Sequence, residues 1–227
     1  MTGHSRQLPL DLPHEPSFAR EDFLAAPANA EALRAIDAWP AWAGRMLLLS
    51  GPAGSGKSHL GAIWARAARA ATIEAARLID AEPADLARSK AILIENGDRV
   101  GAAEANLFHL MNLARENDAF VLLTARGAPD SWELKKPDLR SRLRLAPIVA
   151  LGEPDEDFAR AVLFKLFSDR QIAVDPAVIA YIALRIDRSL GAARAIVEAL
   201  DKEALARGKA VTRAMAAAML KDAEDEG

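Results

Sequence analysis

Gly51-Pro-Ala-Gly-Ser-Gly-Lys57-Ser58 fills every fixed position of the pattern G-x-x-x-x-G-K-[ST]. Glycines at this spacing let the backbone curl around an anion with no Cβ in the way, and the loop N–H groups then converge on a phosphate at the start of the next helix. The cradle comprises Gly51, Pro52, Ala53, Gly54, Ser55, Gly56, Lys57, Ser58 and His59. Lys57 would reach the outer phosphates, and Ser58 would offer its hydroxyl to Mg2+. This chemistry is nucleotide binding, with ADP, ATP or another nucleotide left open. Its supports are local: the aliphatic run Met46-Leu-Leu-Leu-Ser50 predicts a buried strand before the loop, and the helix formers from His59 onward predict a helix after it.

A phosphate loop becomes a hydrolytic site only with an acid at the end of a neighbouring strand for the metal, followed by a base that activates water. Ala91-Ile-Leu-Ile94 followed by Glu95-Asn96 fits that place. Glu95 can serve the metal, but Asn96 has no protonation near neutral pH and cannot be the base. Weak or absent intrinsic hydrolysis is the expectation. Asp98 either compensates or is a solvated turn residue. Thr124, at the end of the run Phe120–Thr124, would lie between the metal strand and the phosphate loop, where a hydroxyl can sense the γ phosphate; threonine at a strand end is also commonplace. Arg140, Arg142 and Arg144 cluster just before the last strand. Such a cluster is either a solvated face or the source of an arginine given in trans to a neighbour's nucleotide. Arg188 and Arg194, early in a C-terminal helix, are candidates for contacting phosphate from the other side.

The 227 residues allow one or two domains, and 29 basic against 32 acidic residues give a net charge of −3, which argues against wholesale electrostatic binding to nucleic acid. There are no cysteines and the four histidines are scattered, excluding disulfides and thiolate or histidine metal sites. No apolar run is long enough to span a bilayer and no leader pattern is visible, so a cytoplasmic protein without a membrane is expected. The apolar share of 51% is rich in alanine, so helices should outweigh strands.

The positioning elements follow from pattern. Met46–Ser50, Ala71–Ile73, Ala91–Ile94, Phe120–Thr124 and Ile148–Leu151 are short aliphatic runs separated by helical or polar segments, which predicts an α/β fold with a parallel sheet covered by helices. A helix over Ala30–Trp39, ended by Pro40, precedes them. After Gly152-Glu-Pro154 no strand follows, and helices are expected over Asp155–Asp169, Asp175–Ile186, Ser189–Arg207 and Thr212–Asp222, with Asp155 and Asp175-Pro176 as start signals. The expected organisation is an arm over 1–17, broken by Pro9, Pro13 and Pro16, a nucleotide-binding base over 18–152 and an all-helical lid over 153–227.

This order of features is similar to the AAA+ ATPases. Within them it resembles the DnaA branch, through Phe23-Leu-Ala-Ala-Pro-Ala-Asn29, the phosphate loop continuing into His59-Leu60, and Ser141-Arg142-Leu143. The resemblance implies that Asn29 lies near the adenine and that Arg142 is an arginine finger acting in trans. DnaA continues past its lid into a basic helix-turn-helix domain, whereas no such sequence-specific DNA-binding domain is expected here after Asp222-Ala-Glu-Asp-Glu-Gly227. The arm Arg6-Gln-Leu-Pro-Leu-Asp-Leu-Pro13 resembles peptides that dock on the replicative sliding clamp, the β subunit of DNA polymerase III. Gln7 would form directed hydrogen bonds while Leu8, Leu10 and Leu12 fill apolar subsites.

Arm and body together resemble the Hda-type, DnaA-related regulators. That family implies an ADP-bound adaptor with Mg2+ that sits on the DNA-loaded clamp and stimulates hydrolysis of the ATP held by DnaA, thereby inhibiting replication initiation. Its partners would be DnaA and the clamp, its place the replisome and nucleoid, with monomer and homodimer both open. The family's sensor position after the strand falls at Thr124 or Arg126, and its lid arginine at Arg188 or Arg194. The alternative is a helicase-loader-like AAA+ ATPase, which would turn over nucleotide on its own. A nucleotide kinase leaves the arm and the helical C-terminal segment unexplained.

Overall fold

The computed structural model describes residues 20, 23–153, 155–186 and 190–225. Five aliphatic runs form one parallel sheet: β1 (Met46–Ser50), β2 (Ala71–Glu74), β3 (Ala91–Glu95), β4 (Phe120–Ala125) and β5 (Ile148–Ala150), in the order β2-β3-β4-β1-β5. Each expected strand is present.

Alternate residues of each strand serve opposite faces, as a period of two requires. Leu47, Leu49, Leu93 and Leu122 pack on one face with Leu33 and Ile36 of α1 (Ala30–Asp37) and with Leu60 and Trp64 of α2 (Lys57–Ala68). Leu48, Ile92, Ile94, Val121 and Leu123 pack on the other with Leu107, Leu110 and Met111 of α4 (Glu104–Glu116) and with Leu139 and Leu143 of α5 (Pro137–Arg144). The single turn α3 (Pro83–Leu86) covers the same face beside α4. Each large side chain so buried contributes about 1.5–3 kcal/mol, which explains why these strands read as unbroken aliphatic runs. α1 stops at Asp37, before the expected Trp39, because Ala38–Pro40 form a turn; Trp39 still packs edge-on against Trp64.

After β5 the chain builds a separate helical core from α6 (Glu156–Asp169), α7 (Pro176–Ala183), α8 (Leu190–Arg207) and α9 (Arg213–Asp225). Leu163, Phe167, Ile182, Val197, Leu200 and Ala216 form its centre. Two of its helices begin where the aspartates said they would. The Asp155 carboxylate accepts the Phe158 N–H at 2.7 Å, and that of Asp175 accepts the Ala177 N–H at 2.8 Å, each cap contributing about 1 kcal/mol. No helix among the described residues is long and apolar enough to cross a membrane.

The segment 23–29 ties the parts together. Phe23 belongs to the sheet core, Leu24 packs on the helical core, and the Ala28 carbonyl accepts the N–H of Gly152 at 2.8 Å, where the chain leaves β5 for α6.

Candidate phosphate-binding site

The phosphate loop springs from the C-terminal end of β1, between β4 and the edge strand β5. β4 and β5 flank it, pairing Ser50 with Ala125 and with Ala150. The Gly51 N–H donates to the Ala125 carbonyl at 3.2 Å, and the Leu151 N–H donates to the Ser50 carbonyl at 2.7 Å. This closeness dictates the first glycine, because a Cβ on Gly51 would lie 2.6 Å from the Leu151 carbonyl oxygen. Gly56 has φ 98°, a left-handed conformation that opens α2, and the Phe23 ring lies where its Cβ would meet it at 3.4 Å. The loop is thus shaped by β5 and by segment 23–29 as much as by its own sequence.

Lys57, the first residue of α2, is buried and folds back into the loop. Its ammonium donates to the carbonyls of Gly51 at 2.7 Å and Pro52 at 2.6 Å, with Ser55 Oγ at 3.4 Å. Burial pushes its pKa below the ordinary lysine value; Asp98 opposes that shift and Arg126 reinforces it. A desolvated cation at the start of a helix, held by carbonyls of its own loop, is chemically suited to exchange them for a polyphosphate. Ser58 is exposed at the adjoining position while Ser55 and His59 are buried, His59 edge-on to Phe23 with ring centroids 5.3 Å apart. Pro52, Ala53 and Gly54 form the outer turn.

The sheet order brings β3, β4 and β1 side by side, so that Glu95, Thr124 and the loop share one edge, with Thr124 in the middle as its position predicted. Glu95 closes β3, half-buried. Its carboxylate and the Ser58 hydroxyl are hard oxygen donors of the kind Mg2+ takes alongside phosphate and water. Asn96 has φ 53°, its N–H donates to Thr124 Oγ1 at 3.2 Å, and its side-chain amide donates to Glu74 on β2 at 3.1 Å. Its amide therefore braces the strand ends. Thr124 is 1% exposed and its oxygen already accepts that bond.

Asp98 departs from the solvated-turn reading. It is half-buried, and its carboxylate accepts the Arg126 N–H at 3.1 Å across the end of the sheet. Together with Arg126 it lines a cleft of about 870 Å³ whose wall includes Gly127, Trp132 and Lys135. Gly97 is required here because its Cβ would lie 2.7 Å from the Trp132 ring.

Asn29 is 4% exposed, and its amide is engaged within its own loop, accepting the Ala26 N–H at 2.8 Å and donating to the Leu24 carbonyl at 3.0 Å. It shapes segment 23–29. Phe23, touching both Gly56 and His59, is the residue of this segment that sequence reasoning left without a role. Arg142 is half-buried on α5, bonded to the Asn112 side chain and lying over the Phe108 ring at 5.2 Å, both on α4. Arg144 pairs with Asp130, and Arg140 is exposed. Arg194 is half-buried in the first turns of α8. Arg188, and the arm residues Gln7, Leu8, Leu10 and Leu12, lie outside the described residues.

Solved structures share this arrangement along nearly the whole chain. Domain III of the Thermotoga maritima replication initiation protein DnaA superposes with a TM-score of 0.78 at 20% identity, covering 93% of this chain and 98% of that one. The fold is the AAA+ fold. AMPPCP-bound DnaA from Aquifex aeolicus gives a TM-score of 0.71 at 15% identity over 82% of this chain and 66% of its own. The T. maritima RuvB Holliday junction branch migration motor gives 0.68 at 16% identity over 90% and 72%. No protein-family profile matches the sequence.

Proposed function

We propose that this chain is a nucleotide-holding regulator of replication initiation, with an AAA+ base over 18–152, a helical lid over 153–227 and a clamp-docking arm over 1–17. The observation that carries the reading is the complete phosphate cradle combined with Asn96, whose amide is tied to Glu74 where a hydrolytic site needs a base. Such a site holds a nucleotide without consuming it quickly. DnaA structures with a bound nucleotide analogue support nucleotide as the ligand, with Ser58 and Glu95 as the Mg2+ donors.

The arm over Gln7–Leu12 would seat the protein on the sliding clamp, where it promotes hydrolysis of the ATP carried by DnaA and so restrains initiation in the cytoplasm. An arginine of α5 would stabilise the transition state in trans. In that role Arg142 would have to leave Asn112 and Phe108, whereas Arg140 is already at the surface.

Mixing the full chain with ATP-loaded DnaA, clamp and DNA should accelerate ATP loss from DnaA, and a chain lacking residues 1–17 should not. Equal activity of the shortened chain would remove the clamp from the reading. Steady turnover by the isolated protein, or its copurification with the replicative helicase, would support a helicase loader instead.

A further inference from the structure

The charge of this chain is unevenly placed. The whole sequence carries a net −3, yet residues 176–186 and 204–214, which include α7 and the passage from α8 into α9, hold Arg185, Arg207, Lys209 and Arg213 and no acid. Folding brings the two stretches together, because α7 packs against α9. Tyr181, half-buried on α7, is where they meet. The Arg185 guanidinium lies 3.9 Å from the centroid of its ring, and that of Arg213, the first residue of α9, lies at 4.5 Å. Lys209, exposed four residues before Arg213, carries the positive surface along the connection.

Two guanidiniums beside one ring repel each other, and a carboxylate between them would relieve the repulsion. Among the described residues none does so: Arg185, Lys209 and Arg213 make no ion pair, Asp175 caps the start of α7, and Glu203 and Asp201 are taken by Arg207 and Arg170. A ring differs from a carboxylate as a partner. It holds a guanidinium through its face and leaves the N–H edge unoccupied. Arg185 uses one N–H on the Tyr181 carbonyl at 3.2 Å, and no described residue takes the donors of Arg213. The two forks are therefore held in place with donors to spare for an anion.

We propose that this face of the helical core binds the backbone of duplex DNA without reading its sequence, Arg185 and Arg213 each giving a fork to a phosphate and Lys209 adding a point charge. Charge complementarity selects the partner. Duplex DNA presents one negative charge per about 1.7 Å of its axis, so cations fixed on neighbouring elements meet several phosphates. A single strand binds by stacking its bases on open rings, and the Tyr181 ring is already taken by arginines, which favours the duplex. Such binding needs neither a nucleotide in the phosphate loop nor the arm, and the net charge of −3 confines it to this patch.

The test is fluorescence anisotropy of the full chain titrated onto a labelled duplex of about 20 base pairs and mixed sequence, from about 50 to about 200 mM salt. The wild type is compared with the double variant Arg185→Ala/Arg213→Ala, Lys209→Ala, Tyr181→Phe, Tyr181→Leu and, as a charge control, Lys221→Ala, an exposed cation further along α9. Each variant is first matched to the wild type by circular dichroism and thermal midpoint. Three phosphate contacts give the wild type a log–log salt slope of about −2.7, a weakening of about 40-fold across this range. The double variant should lose about 10-fold or more at the lower salt and reduce the slope by about 2, and Lys209→Ala should reduce it by about 1. Tyr181→Phe should bind as the wild type does. Tyr181→Leu keeps the charge but removes the ring that holds the arginines, and should bind about 3- to 10-fold more weakly. The proposal is overturned if the wild type does not bind the duplex at the lower salt, if the double variant keeps its affinity, if Lys221→Ala loses as much as Lys209→Ala, or if Tyr181→Leu matches Tyr181→Phe. Tighter binding of a single strand of the same length would overturn it in favour of a single-strand surface, and displacement of the duplex by polyglutamate at equal charge in favour of an acidic peptide.

Discussion

The phosphate loop and helix α5 both carry the cations on which the functional reading turns, yet they are built on different principles. In the loop, backbone does the positioning: Gly51 is pressed against the Leu151 carbonyl, Gly56 is left-handed, and Lys57 is buried among carbonyls of its own loop. On α5 the backbone is an ordinary helix, and three arginines two residues apart end in three environments: Arg140 in solvent, Arg142 on Asn112 and Phe108, Arg144 on Asp130. Where backbone contacts fix a side chain, residue type and spacing announce its role. Where neighbours capture the side chain, spacing alone says nothing of its destination.

Substitutions can break that contrast. The largest effect is expected from Gly51→Ala, whose Cβ would strike the backbone carbonyl of Leu151 at 2.6 Å. It should cost about 3 kcal/mol in chemical denaturation, since main chain at a sheet edge yields less than a side chain does. A cost under about 0.5 kcal/mol would mean that β5 does not shape the loop.

Lys57→Ala comes next, with nucleotide affinity in titration calorimetry falling by about 100-fold, the scale of lost charge-assisted bonds. Its denaturation midpoint should hold or rise, because a buried cation is removed. A lower midpoint with unchanged affinity would reverse the roles assigned to this lysine.

On α5, Arg142→Ala should destabilise by about 1 kcal/mol, the scale of one hydrogen bond plus one cation–π contact, while Arg140→Ala should stay within about 0.5 kcal/mol. In the DnaA assay the arginine whose loss abolishes stimulation is the one donated in trans. If that is Arg140, the finger belongs to the solvent-facing position and Arg142 is structural.

The smallest effect near neutrality is that of pH. Burial lowers the Lys57 pKa, so in the free protein its charged form is disfavoured; a bound phosphate favours it again. Nucleotide affinity should therefore be flat at neutral pH and decline as pH rises through the free-state pKa, beginning below the ordinary lysine value of 10.5. A decline that began only above that value would contradict the desolvated lysine.

Much of this was legible in advance because it is local. The five strands, the caps at Asp155 and Asp175, and the loop itself each depend on a few neighbours in sequence, and binary patterning carries them. The contacts of Asp98 and Phe23 were not legible. Asp98 meets Arg126 across 28 residues, and Phe23 reaches Gly56 and His59 from the far side of α1. No periodicity encodes such pairings.

The sequence by itself determined that a glycine-rich loop ending in Lys57-Ser58 joins a strand to a helix, which residue types it offers, and that a parallel sheet and a run of helices would carry it, because steric and hydrophobic patterning act within a few residues. Tertiary structure alone decided that Asn96 would brace Glu74, that Arg142 would be captured by α4, and that Lys57 would share its surroundings with Asp98 and Arg126. Burial and charge are properties of the assembled strand ends, and they come into being only when β3, β4 and β1 are laid side by side.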